Sequence, residues 1–132
     1  MARKILKYSL LAGVAYFCCM AVAHFFGLKV PILFVYYDTP FYAYQDKIIA
    51  FAVVTYACLF FAGAQHGAVV PAVLVSIWVT VLGLGAVNVS QALQEVLSGR
   101  STTPYWIQTA LIAGYAIWLT IFYGRSRAQG AT

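Results

Sequence analysis

The chain has 132 residues, 64% of them hydrophobic and 8% charged, with a mean hydropathy of +0.86. A soluble domain carries roughly a quarter charged residues, so this composition excludes a water-exposed globular surface and points to one membrane domain spanning residues 1–132, solvated by lipid. The formal charge of +5 is concentrated in Arg3, Lys4, Lys7, Arg125 and Arg127, which flank apolar runs as membrane anchors do. No basic stripe interleaved with aromatics exists, which excludes a nucleic-acid partner.

The first apolar run, about 5–26, is long enough to cross the roughly 30 Å of bilayer hydrocarbon, which takes about 20 helical residues. Its "MARKILK" start and "AVA" at 21–23 also suit a cleavable signal peptide, but Tyr16, Phe17 and His24-Phe25-Phe26 prolong it to spanning length and favour a retained helix. The following "GLKVPILFV" is too apolar for water and too short to span. It is expected along the interface or packed back into the mouth of the bundle.

Next comes "YYDTPFYAYQDK", residues 36–47, with four of the ten tyrosines and two of the three acids. Tyrosine rings favour the headgroup boundary, so an aromatic belt explains part of this density. Asp38 and Pro40 suit a turn or helix start before the second span, about 47–65. The third span is expected at about 68–90, with Pro71 in its first turn. Its helix is expected to run on to Ser98, with Gly99 as the terminator. Thr103 and Pro104 mark the start of the fourth span, about 104–123. The predicted fold is therefore all-α: an integral membrane four-helix bundle with an interfacial outer loop between helices 1 and 2.

Small residues recur at helix-contact spacings. Ala15, Cys19 and Ala23 repeat every four positions, Ala50, Ala57 and Ala64 every seven, and Ala110 with Gly114 forms a small-x-x-x-small pair. Gly83 and Gly85 would let the third helix approach a neighbour closely. Cys18, Cys19 and Cys58 lie in apolar runs without a C-x-x-C, so they read as small apolar residues at helix contacts and not as a redox pair.

An even number of spans puts both termini on one side. The basic ends favour a cytoplasmic location for them, in a bacterial inner membrane or an equivalent one. The outer end then collects His24, Tyr36, Tyr37, Asp38, Tyr42, Asp46, Asn88, Gln91 and Glu95, the candidate binding surface. Asn88, Gln91 and Glu95 would share one face of a continuous third helix. No Asp, Glu, Lys or Arg falls in the central part of any span, which argues against ion-coupled transport. His24 and His66 lie at opposite membrane levels and cannot share a metal or haem within one chain.

No catalytic constellation, metal motif or cofactor motif is visible, and the cofactor question stays open. The composition favours a non-catalytic accessory or assembly subunit, buried against other membrane-protein subunits. The alternative is a protein that binds or acts on a lipophilic ligand, a quinone or lipid, at the outer end of the bundle.

Overall fold

A computed structural model describes residues 1–30, 32–33 and 42–129. Among them five α-helices follow one another: α1 (Ala2–Phe26), α2 (Tyr42–Gln65), α3 (Val70–Asn88), α4 (Gln91–Leu97) and α5 (Thr103–Ala128), with a 3-10 turn at Gly67–Val69 leading into α3. Among the described residues there is no strand, and four of the helices, α1, α2, α3 and α5, are long and apolar enough to cross a membrane. They form an up-and-down bundle. Both termini lie at one end, called here the terminal end, and the α1–α2 and α3–α5 connections lie at the other, the distal end.

α1 and α2 make the most intimate pair. The buried positions of α2 include Asp46, Ala50, Val53, Ala57, Phe60 and Ala64, whose spacing alternates between four and three, with Gly63 buried beside Ala64. Leu6, Leu10, Gly13 and Phe17 of α1 follow the same alternation, and His24 is buried near its end. This is the seam of a left-handed helix pair, in which small residues let backbones approach and bulky ones fill the gaps between them. The largest knob is Phe60, fully buried, with its ring 5.0 Å from that of Phe17 and 6.2 Å from that of Tyr115. Gly13 leaves the space it occupies: a Cβ there would come within 2.6 Å of the Phe60 ring and 2.5 Å of the Tyr115 hydroxyl.

α3 and α5 close the bundle, and their tightest packing is toward the terminal end. Val70, Val73 and Ile77 of α3, with Ala116 and Leu119 of α5, are almost fully buried. Hydrogen bonds tie the helices together. Tyr115 Oη donates to Ser9 O at 2.7 Å and Trp118 Nε1 to Ser9 Oγ at 2.9 Å. Trp78 Nε1 donates to Thr120 Oγ1 at 3.2 Å, and Tyr56 Oη lies 3.1 Å from Thr80 Oγ1. Each such bond is worth only about 0.6 kcal/mol on average within a membrane, so their role is chiefly to fix register.

The ends of the elements differ from the sequence expectation at two places. The third helix does not run through to Ser98. It stops at Asn88, and Ser90 starts α4 afresh, accepting a hydrogen bond from Leu93 N–H at 3.2 Å while its own hydroxyl donates to Val87 O at 2.7 Å. A serine able to cap a new helix competes with continuation of the old one. α4 then ends in the left-handed pair Ser98 (φ 49°) and Gly99 (φ 85°). The fourth span is capped at Thr102, one position before the expected Thr103, with Pro104 in the first turn.

The small residues fare differently. Ala50, Ala57 and Ala64 are the alanine seam against α1, whereas Gly83, Ala110 and Gly114 face outward. A Cβ at Gly85 would meet nothing within 4 Å, and of the α1 repeat only Ala23 is buried, Ala15 and Cys19 being exposed. The cysteines correct the expectation of helix contacts: Cys18, Cys19 and Cys58 are all exposed on the lipid-facing side, because none falls in the four-three register of the seam.

The Gly13 contact gives a direct test. Gly13→Ala should lower thermal stability in detergent by the equivalent of about 1–3 kcal/mol, because Phe60 is hemmed in by Phe17 and Tyr115. Gly114→Ala, where an added Cβ meets nothing within 4 Å, should be neutral. Equal melting temperatures for the two variants would refute the packing described.

Candidate functional site

α1 ends at Gly27, whose left-handed φ of 68° lets the Gly27 and Leu28 N–H groups satisfy the carbonyls of His24 and Ala23. This termination places His24 in the last turn of α1. α2 begins at Tyr42, ahead of the apolar run that opens at Lys47, so Asp46 sits inside a helix and in the seam. The two meet there: His24 Nδ1 and Asp46 Oδ1 are 3.1 Å apart, with both residues 7% exposed. An ionised carboxylate only accepts, so in that state the imidazole Nδ1–H is the donor and the carboxylate orients the ring.

The pair borders an open-sided cavity of about 460 Å³ lined by residues of all five helices. Its walls are mostly apolar, including Phe17, Met20, Leu84 and Ile112, and α4 covers it with Leu93 and Val96. The amphipathic spacing of α4 leaves Gln91, Gln94 and Glu95 outside and buries Leu97. A volume of this size falls within the roughly 300–1,000 Å³ of small-molecule sites, where a few polar groups stand in an apolar lining.

Further polar groups converge on the same region. Tyr16 Oη and Gln108 Nε2, both from cavity-lining residues, donate to Leu33 O at 3.0 and 3.1 Å. Pro31, Phe34 and Val35 of "GLKVPILFV" lie outside the described residues, and these bonds tie the backbone at Leu33 to α1 and α5. They also pin Ile32, whose φ of 73° is unfavourable for a β-branched residue and costs about 1–3 kcal/mol. Beneath this turn a second, apolar cavity of about 270 Å³ shares Tyr16 and Gln108 with the first.

The structure brings together only part of the candidate surface. His24 and Asp46 form the buried pair. Asn88 is buried but lies on the α3–α5 contact, where its Nδ2 donates to Thr109 Oγ1 at 2.9 Å. Gln91 and Glu95 do not join it, because the helix breaks between them. They are exposed on α4, where Gln91 Nε2 donates to Glu95 Oε1 at 2.9 Å. Tyr36, Tyr37 and Asp38 lie outside the described residues, as does the side chain of Tyr42. Among the described residues no group of three or more His, Cys, Asp or Glu side chains is arranged to hold a metal ion.

Tyr16, Gln108 and Thr109 were not singled out by sequence reasoning. The available signal was Gln108 itself, an amide within an apolar span that needs an internal partner. Comparison with known family models, curated proteins and solved structures finds no match to this chain.

The buried pair predicts an asymmetry among substitutions. His24→Ala leaves a carboxylate without its imidazole in a low-dielectric seam and should cost about 3 kcal/mol of stability. Asp46→Asn keeps the shape and an acceptor, and should cost less than about 1 kcal/mol. Unfolding titrations in mixed detergent micelles would check this, and equal losses for the two variants would contradict it.

Proposed function

We propose that this integral membrane protein binds a lipophilic ligand with a polar head, of the quinone or lipid class, in the distal cavity. The supporting observation is the His24–Asp46 pair, buried and bordering an apolar cavity between helices. Ionisable groups buried between apolar helices are expensive, and in membrane proteins they mark ligand or proton pathways more often than packing. The imidazole can donate to or accept from a carbonyl or hydroxyl head, Asp46 sets its tautomer, and the apolar walls suit a hydrocarbon tail. Ser90, the cavity's serine, is occupied in capping α4, which favours binding over nucleophilic chemistry.

The accessory-subunit reading draws on a different observation, the outward-facing Gly83, Ala110 and Gly114, which would admit a neighbouring helix. Purification in a mild detergent separates the two. The ligand reading expects a lipophile at about one per chain in organic extracts of the wild type. It expects that lipophile to be lost from Asp46→Asn and from the cavity-filling Ala92→Trp, with melting temperatures preserved. A wild type that yields no lipophile but carries a stoichiometric membrane protein would favour the accessory subunit and defeat the ligand reading.

Both termini are assigned to the cytoplasm, in a bacterial inner membrane or its equivalent, on the strength of the five basic residues at the terminal end. In a background with Cys18, Cys19 and Cys58 replaced, a cysteine introduced at Thr102 should react with an impermeant thiol reagent in intact cells. One at Ser126 should not. Labelling of Ser126 alone would invert the orientation.

A further inference from the structure

The formal charge of +5 is carried entirely by the terminal end. Arg3, Lys4, Lys7, Arg125 and Arg127 lie there, while Lys29, Lys47 and Arg100 at the other end of the sequence pattern are matched in number by Asp38, Asp46 and Glu95. Both acids among the described residues, Asp46 and Glu95, belong to the distal end, so no described carboxylate offsets the terminal cations.

These cations are not spread evenly around the rim. Arg3 and Lys7 stand one turn apart on α1 and so share a face, and both border a cavity of about 430 Å³ that Arg127 of α5 also borders. Lys4 and Arg125, from the same helices, do not line it. The guanidinium of Arg127 is 6.0 Å from the ring centroid of Tyr123, another lining residue, which holds it on this side of α5. Below the charged rim the lining side chains are apolar, with Leu6 and Leu10 from α1, Ala64 from α2 and Val70 from the start of α3.

We propose that this cavity is a binding site for a phosphate-bearing anionic lipid, with the headgroup between Arg3, Lys7 and Arg127 and the start of an acyl chain over Leu10 and Val70. Three like charges around one opening repel one another unless an anion accompanies them, and a phosphodiester offers several acceptor oxygens to such a set. A free phosphate would satisfy the rim but leave the apolar floor unfilled, whereas a lipid matches both. The level is right as well, since these residues occupy the ends of membrane-spanning helices, where phosphates of the adjoining leaflet lie. The site is separate from the distal cavity and does not depend on what binds there.

The test compares two charge-matched pairs of substitutions in the purified full chain: Lys7→Gln with Arg127→Gln, which border the cavity, and Lys4→Gln with Arg125→Gln, which do not. The probes are mixed micelles containing dioleoylphosphatidylglycerol or dioleoylphosphatidylcholine, and inorganic phosphate alone. Wild type should bind the phosphatidylglycerol in preference to the phosphatidylcholine, and inorganic phosphate should compete poorly. The cavity pair should weaken phosphatidylglycerol binding by about tenfold and the control pair by less than about threefold. Each variant is read as the lipid-induced rise in melting temperature above its own lipid-free value, which separates binding from any change in folding stability. Lys7→Arg, which keeps the charge, should retain the wild-type rise. Equal weakening by the two pairs would show diffuse attraction to an anionic surface and overturn the site. So would absence of a preference between the two lipids, or inorganic phosphate competing as well as the lipid.

Discussion

A carboxylate and an imidazole placed in the seam between two membrane helices must face each other, and this requirement governs how α1 lies on α2. An alanine seam alone is permissive. Ala50, Ala57 and Ala64 present nearly the same small surface every seven residues, so sliding the helices by one heptad would preserve the alanine contacts, though not the fit of Phe60 over Gly13. Asp46 removes that freedom. It occupies the same four-three register as the alanines, and only the observed alignment brings His24 Nδ1 within 3.1 Å of it. A slide would leave both groups in a poorly solvating interior, at a cost larger than that of many van der Waals contacts.

With the hairpin set, the remaining helices pack against a surface that is asymmetric along its length. Toward the terminal end Leu10, Phe60, Val70, Val73 and Leu119 interlock with almost no exposed area. Toward the distal end the buried side chains of α3 thin out after Ile77 until Asn88, and the space left is the cavity beneath α4. Filling and emptiness are thus consequences of where bulky side chains occur in α3. The polar contacts at the distal end, Asn88 to Thr109 and Tyr16 with Gln108 to Leu33 O, hold the walls apart from the void without filling it.

The transmembrane character and the number of spans were legible because hydropathy over twenty residues is a bulk property that no single side chain can overturn. The alanine seam was legible for a similar reason, as a strict repeat. Extending that repeat backward by four residues from Ala50 would have reached Asp46 and placed it inside the bundle, but the span is expected to begin at about Lys47 and Asp46 reads with the outer binding surface. The helix break at Val89-Ser90 was obscured because the flanking residues keep helical spacing and the only sign is a serine suited to an N-cap. The convergence of Tyr16 and Gln108 on one carbonyl depends on a turn with a left-handed isoleucine, which local preference argues against. The pairing of His24 with Asp46 needed helix rotation, which spacing alone does not give for a pair joined by a long connection.

The order of these elements along the chain bears on how the protein is made. His24 and Asp46 sit on consecutive helices, so their contact needs only the first two spans and none of the residues of α3 or α5. A first hairpin that inserts as a unit would carry its two polar groups already hydrogen-bonded to each other, so that neither would have to enter lipid alone. Later helices are then added to a preformed template, on which the aromatic ring of Phe60 already marks the place that Tyr115 will occupy. Biogenesis and register share one pair of side chains.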